Sequence, residues 1–362
     1  MKRKVAILFG GRSQEHEVSL QSAASVHAVI PPDKFEVILI GIDRKGTWHL
    51  QEKIRTAEDP SRGPYLVIEP NPAPVVLVPG KGFHYQNRAL PVDVVFPVLH
   101  GSFGEDGTLQ GLLEMLDLPY VGAGVTGSAV AMDKEAVKRI WRDSGLPVVD
   151  FVAVHKHEFP SSPSAERALW DRIQASLSSP VFVKPAAAGS SVGVSKASTE
   201  DEVVNALREA FNYDTKAIVE SGVDAREIEL AVIGNEEPRV FPPGEVVVSE
   251  GFYSYTAKYL DKKAAVTVIP ADLDNAAASR AMDLAHRAYQ TAGVSGFARV
   301  DLFLDRKSGT FFVNEINTLP GFTNISMFSR LCEAGGLPYS KLVEELIEYG
   351  IERHTTRAAL VY

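Results

Sequence analysis

The feature that most constrains this chain is a pair of apolar segments that end in polar chemistry, GFARVDLFLD (296–305) and FFVNEINTLPG (311–321), joined across RKSG. Two strand-forming runs on either side of a glycine-containing turn read as a β-hairpin. Side chains alternate faces along a strand, so Arg299 shares a face with Asp301, and Glu315 with Asn317. With Leu304 paired to Thr310, Asp301 falls opposite Val313 and diagonal to Glu315, and Arg299 falls opposite Glu315. The four polar groups then emerge together at the open end, and a slip of one residue would scatter them. Converging Asp, Glu and Asn oxygens are hard donors, suited to Mg2+ rather than zinc. The plainer alternative is an Arg–carboxylate tie between two strands, which suffices for any single pair. Two carboxylates, an amide and an arginine on one apolar hairpin need their desolvation compensated, and a divalent ion does this.

The rest of the chain alternates strand and helix, which makes it an α/β protein. KVAILF, FEVILIGI and VDVVFPVLHG are continuous apolar runs, and EHEVSLQSAASVHAVI between the first two has helical spacing. Such runs between helices predict a parallel, Rossmann-like sheet covered on both faces. The stretch 51–91 is Pro-rich and reads as irregular. TGSAVAMDKEAVKRIWRDSG reads as one helix stopping at Gly145, with Pro147 beyond it. PVFVKPAAAGSSVGVSKAS predicts two short strands around a Gly-Ser tip, followed by a helix opened by a Thr199…Glu202 capping box and the strand AIVES. Further strands, a long helix near 275–292 and a closing helix YSKLVEELIEYGIERH complete the chain.

The Gly-Ser tip matters because backbone N–H groups in such a loop can cradle phosphate, with Lys184 at the strand end as a point charge. A plain hairpin turn uses the same residues, and no GxxxxGK[ST] is present. Lys134, Lys184 and Lys258 stand beside small or aromatic residues rather than in charge runs. Their meaning depends on whether they converge.

Composition removes other classes. A formal charge of −9 over 362 residues disfavours a nucleic-acid partner. The nine histidines form no HExxH or similar cluster, which argues against zinc. The single cysteine, Cys332, excludes an internal disulfide and suits a reducing, cytoplasmic setting, as a small buried residue in a helix. No apolar run approaches a membrane span, and MKRKVAILFGG reads as a first strand rather than a signal peptide.

Seven ordered segments together resemble one family. FGGRSQEHEVSL, HGSFGEDGTLQG, MDK, VKPAAAGSSVGVSK, FYSYTAKY, GFARVDLFLD and NEINTLPGFTNIS are similar to the motifs of D-alanine–D-alanine ligases of the ATP-grasp superfamily, over nearly the whole chain. The resemblance implies a three-domain ATP-grasp fold with a Rossmann-like N-terminal domain (1–123), a central subdomain (124–220), and a C-terminal subdomain (221–362) carrying an omega loop near 249–263 and the metal site. It implies phosphorylation of one D-alanine by ATP, attack by the amine of a second, and loss of phosphate, for peptidoglycan precursors. Two Mg2+ ions would take part, with Mn2+ as a substitute, K+ as an activator, and a homodimer as the assembly.

Residue by residue, the resemblance makes Asp301, Glu315 and Asn317 metal ligands. Arg299 and the Gly321 N–H would stabilise the oxyanion. Glu15 would hold the first substrate's ammonium beside His100, and Ser326, next to Met327, the second substrate's carboxylate. Lys134, Lys184 and Lys258 would bind phosphate under a loop carrying Ser190 and Ser191. Glu220 and Val223 would contact adenine, with Phe252 packed on it, Glu227 would hold the ribose, and Asn314 would join the ATP contacts. Tyr259 would link through Ser190 to Glu15, which favours an amine nucleophile over a hydroxyl.

Two departures stand out. Ala186–Ala188 replace the polar residues many members carry in the phosphate loop, and Ser221 follows Glu220 where some relatives have lysine. The alternatives are a D-alanine–D-lactate depsipeptide ligase and, from another class, a nucleotide-binding regulatory module without turnover. A nicotinamide dehydrogenase would need a glycine fingerprint that this chain lacks.

Overall fold

Three sheets arranged around one cleft organise the computed structural model, which describes residues 2–60, 63–248 and 265–361. The first grows from the continuous apolar runs. β1 (Arg3–Gly10) pairs in parallel with β2 (Phe35–Ile42) and with β9 (Val94–Pro97), and β3 (Trp48–Gln51) closes one edge antiparallel. Helix α1 (His16–Val29) makes the crossover between β1 and β2. Val5 to Phe9 are fully buried, as a strand covered on both faces requires.

The stretch expected to be irregular instead holds short antiparallel strands. β4 (Thr56–Asp59) pairs with β5 (Gly63–Leu66), and β7 (Gly82–Tyr85) pairs with β6 (Val76–Val78) and β8 (Arg88–Ala89). Its prolines sit at edges and turns of these strands, where a missing N–H costs no ladder bond.

α2 (Thr108–Met115) leads to a second correction. The stretch 126–145 is not one helix: α3 (Val125–Met132) ends at Asp133, which adopts an extended conformation and caps α4 (Lys134–Asp143) by accepting from the Ala136 N–H at 3.0 Å. A capping aspartate satisfies an otherwise orphaned amide, so it starts a helix rather than continuing one.

The central sheet is antiparallel, in the order β10 (Phe151–His155), β13 (Lys216–Ser221), β11 (Val181–Pro185), β12 (Ser195–Ala197). α5 (Pro163–Gln174) and α6 (Glu200–Ala210) complete this unit, and the Thr199/Glu202 capping box opens α6 as expected. Its buried apolar core is drawn only from residues 154–219.

The third sheet contains β14 (Ala225–Gly234), β15 (Arg239–Val240), β16 (Gly244–Val248), β17 (Ala265–Val268), β18 (Gly296–Asp305) and β19 (Phe311–Asn317). α7 (Asn275–Thr291) packs on its apolar face, with Ala281, Ala285 and Tyr289 against Val300 and Val313. α8 (Met327–Ala334) carries the buried Cys332, and α9 (Tyr339–Ala358) crosses back to the first unit. One apolar core therefore joins Val5, Phe96, Phe322 and Leu346. Arg353 on α9 locks that junction: it stacks 4.1 Å over the Tyr120 ring and donates to the carbonyls of Tyr120 and Gly122. No helix among the described residues is long and apolar enough to cross a membrane.

The β18–β19 register differs from the one assumed above. Leu304 pairs with Phe311 rather than Thr310, and Leu302 with Val313; Asp301 then pairs with Glu315, and Arg299 with Asn317. Asn314 is the extra residue of a β-bulge between these two blocks. It reverses the facing of the strand, so that Phe311, Val313 and Ile316 all reach the α7 core while Glu315 and Asn317 look into the cleft.

Candidate active site

The cleft between the units has a volume of about 440 Å³. Its floor is the polar face of β14, β18 and β19. The same alternation that buries Ile228, Leu230, Val300 and Leu302 turns Glu227, Glu229, Arg299 and Asp301 toward the cleft. Arg299 grips Asp301 with two hydrogen bonds, Nε to Oδ1 and Nη2 to Oδ2, both 2.6 Å. Its Nε also lies 3.0 Å from Glu229 Oε2, and the Asn317 amide donates to Asp301 Oδ2 at 3.0 Å.

Three carboxylates, Glu229, Asp301 and Glu315, thus crowd one guanidinium. Burial works against the Arg299 charge, but Asp301 and Glu229 hold it well above its usual range, so it stays protonated. Burial first, then Glu229 and Glu315, push the Asp301 carboxyl up to about 7 against the pull of Arg299. This is a site with too much negative charge for its own cation. It fits a divalent ion, and its donors are the hard oxygens such an ion prefers. Among the described residues no three His, Cys, Asp or Glu side chains form a metal cage by themselves.

One wall is the turn after β19, and the first unit holds it in place. His100 is buried; its Nδ1 donates to the Leu319 carbonyl at 2.8 Å. Burial lowers this imidazole's pKa, so the neutral form accepts from the Ser22 hydroxyl at 3.0 Å through Nε2. Phe322, next in chain to Gly321, plugs into a ring cluster with Phe96, Phe297, Phe328 and Tyr339 at centroid distances of 5.6–5.7 Å. Each such pair adds about 0.5–1.5 kcal/mol beyond its buried area. The Pro320–Gly321 backbone is thereby pinned at the cleft. A Cβ on Gly321 would sit 3.3 Å from Ser326 Oγ, a close fit that favours glycine. Ser326 opens α8 and accepts from the Thr323 N–H at 3.1 Å; Met327 follows it, buried at the cleft edge.

The opposite wall joins the first and central units. The Gly-Ser tip reaches across, and the Ser190 hydroxyl donates to Glu15 Oε1 at 2.5 Å. Ser190 and Ser191 both have left-handed backbone, with φ of 54° and 57°. Gly101, at φ +71°, leaves room for the carboxylate, since a Cβ there would lie 2.7 Å from Glu15 Oε2. Lys134, at the start of α4, donates to the Ala188 carbonyl at 2.7 Å, and Lys184 lies 2.5 Å from Glu220 Oε2. The alanine-rich loop is therefore held through its backbone, by Lys134 at the Ala188 carbonyl and by Asp214 at the Ala187 N–H.

The structure brings Glu15, His100, Lys134, Lys184, Ser190, Ser191, Glu227, Arg299, Asp301, Asn314, Glu315, Asn317, Gly321, Ser326 and Met327 to one cleft wall or another. It does not bring Glu220 and Val223 there: the Glu220 carboxylate is 2 % exposed and turned toward lysines. Phe252, Lys258 and Tyr259 lie outside the described residues. Three residues were missed. Glu229 is two positions from Glu227 on the same strand face, and applying the alternation to AREIELAVIG would have found it. Lys138 is one helical turn from Lys134. Glu105, in GEDG, lines the cleft, and burial together with Glu15 pushes its carboxyl up to about 8.

Two sheets gripping a polar cleft, beside a parallel α/β unit, define the ATP-grasp fold. Models of the "D-ala D-ala ligase N-terminus" and "D-ala D-ala ligase C-terminus" match residues 4–123 and 140–348, and the chain belongs to the D-alanine–D-alanine ligase family. The D-alanine–D-alanine ligase of Thermoanaerobacter sp. (strain X514) is 45% identical over 98% of both chains. Among solved structures, the VanG D-Ala:D-Ser ligase from Enterococcus faecalis aligns with a TM-score of 0.82 and 36% identity, covering 97% of this chain and 100% of its own. The D-alanine–D-alanine ligase from Coxiella burnetii gives 0.80 and 34%, covering 99% and 97%.

Proposed function

We infer that the protein joins two D-alanines into D-alanyl-D-alanine at the expense of ATP, through an acylphosphate, as a step toward peptidoglycan precursors. The observation that carries this reading is the convergence of the Arg299–Asp301–Glu315–Asn317 floor with Lys134, Lys184 and the Gly321 turn on one cleft.

The roles follow from chemistry. Mg2+, when bound, neutralises phosphate charge and aligns the triphosphate. Asp301, Glu315 and the Asn317 carbonyl would hold it, and phosphate oxygens would complete its shell. Two such ions, Mn2+ as a substitute and K+ as an activator are the finer expectations. Lys134 and Lys184 attract the phosphates, with Ser190 and Ser191 over them, Asn314 alongside and Glu227 toward the ribose. Adenine would lie at the end of the cleft beyond these walls, where the chain leaves β13 through the Glu220 backbone toward Val223. Arg299, fixed by Asp301 and Glu229, offers its guanidinium to the oxyanion together with the Gly321 N–H. Glu15, positioned by Ser190, takes the first ammonium near His100, and Ser326 the second carboxylate beside Met327. A preorganised donor of this kind contributes roughly two to three orders of magnitude in rate.

A three-domain division with a boundary near 220 has support in the separate sheets and in the central core of residues 154–219; α3 and α4, which a boundary at 123 assigns to the central unit, pack in the core of the third. A homodimer and a cytoplasmic setting rest on the family likeness and, for the latter, on the lone buried thiol.

The test is ADP release with ATP, Mg2+ and D-alanine, with products identified by mass when D-serine or D-lactate competes. D-alanyl-D-alanine as the main product is expected. Release with L-alanine alone, or a depsipeptide or D-alanyl-D-serine as the main product, would reject the reading.

A further inference from the structure

Lys138 has no role in the scheme above, yet its placement is costly. α4 sets it one turn beyond Lys134. Lys134 lines the cleft, whereas Lys138 is fully buried and does not. A sealed ammonium is tolerated only when its charge is compensated. Its Nζ lies 2.8 Å from Glu220 Oε1, while Lys184 Nζ lies 2.5 Å from Oε2. Beyond this ion pair, neither Lys138 Nζ nor Glu220 Oε1 has a hydrogen-bond partner among the described residues. Although burial would raise the Glu220 carboxyl, the two ammonium groups hold it down at about 2, so it stays ionised.

Burial lowers the Lys138 pKa while Glu220 raises it; with both lysines protonated, one carboxylate serves two cations and the triad carries one surplus positive charge. Only Lys184 delivers that charge to the cleft, since it lines the wall with 13% of its side chain exposed. Lys184 alone would neutralise Glu220, so the buried pair does not need a second lysine for its own stability. Without Lys138 the Lys184–Glu220 pair would be closed and neutral, with Lys184 drawn to the carboxylate. We propose that Lys138 is a positioning residue for nucleotide phosphate: by sharing Glu220 it keeps the Lys184 ammonium available to a triphosphate in the cleft. This rests on reading the cleft as an ATP site.

Lys138→Met and Lys138→Gln remove the charge; Lys138→Arg keeps it. In steady-state assays the neutral variants should raise KM for ATP about tenfold, equivalent to about 1.4 kcal/mol, and leave KM for D-alanine within about twofold. The arginine variant should stay near wild type. Calorimetric titration of ATP with Mg2+, without D-alanine, should show the same loss of affinity and does not depend on turnover. If wild type binds ATP but releases no ADP with D-alanine, the ligase reading fails while this test still stands. Unchanged ATP affinity in a folded neutral variant overturns the proposal. So does a joint shift of both KM values, or failure of both neutral variants to fold, since either makes Lys138 a structural group.

Discussion

At the scale of single residues, the site holds charges that the fold does not fully balance. Asp301 faces two further carboxylates with one guanidinium between them, and Glu105 is raised by burial and by Glu15. Such arrangements cost stability and mark places where a ligand is to supply the missing charge. For Glu105 the sign is clear. Its folded value, about 8 against an ordinary 4.5, means that the folded state binds the proton more tightly. The penalty is absent below the ordinary value, grows as pH rises, and is complete above the folded one. Glu105→Gln keeps an acceptor for the Gly101 N–H, which donates to Glu105 at 2.8 Å. It should therefore raise Tm by an amount of the order of a few degrees at pH 8 and by little at pH 5. The side chain keeps some access to the cleft, which moderates the gain. Thermal melts at the two pH values check this; an equal shift at both, or a loss at pH 8, would contradict it.

At the scale of elements, the bulge at Asn314 decides which face of β19 is chemical. Two-residue alternation alone would put Val313, Glu315 and Asn317 on one side. The inserted residue lets Val313 stay in the core while Glu315 and Asn317 face Asp301 and Arg299 across the strand pair. Deleting Asn314 makes Val313 and Glu315 neighbours, so simple alternation keeps Val313 and Ile316 in the core and Glu315 and Asn317 at the cleft, in the present register. No carboxylate is buried by the change, so the deletion should alter stability by about 1 kcal/mol and keep Mg2+-dependent ATP binding. Denaturant unfolding and calorimetry measure both; loss of Mg2+-dependent binding in a folded deletion variant would show that Asn314 itself, and not the facing of β19, shapes the site. The break at Asp133 is similar in kind, since a local cap overrides a helical pattern that runs straight through it.

At the scale of the whole molecule, the apolar cores are unequally shared. Val5, Phe96, Phe322 and Leu346 place the first and third units in one core, whereas the central unit keeps its own. The central unit meets the rest chiefly through polar ties: Ser190 to Glu15, Lys134 to Ala188, Lys216 to Asp133 and Glu135, and Lys138 to Glu220. The more exposed of these ties add little cooperativity compared with shared apolar burial, and the buried Lys138–Glu220 pair must first offset its own desolvation. Scanning calorimetry of the protein without nucleotide should resolve two transitions, the lower one from the central unit. ADP with Mg2+ should move that transition upward by binding the folded form alone. A single transition in the free protein would show that the units are coupled more tightly than their cores imply.

What the amino-acid order determined by itself was local and periodic. Apolar runs made the strands of the first sheet legible, the Thr199/Glu202 pair announced a helix start, and alternation put Arg299 with Asp301 and Glu315 with Asn317. Seven motifs in order were enough for the family. Only the tertiary structure decided the strand register with its bulge, the break at Asp133, the strands within 51–91, and the partners of Glu220, Glu229 and Lys138. The physical reason is range: periodicity reports which way a side chain points, whereas register and charge pairing depend on what a distant segment presents opposite it. Lys138 and Glu220 are 82 positions apart in the chain and 2.8 Å apart in the fold, and nothing local to either residue encodes the other.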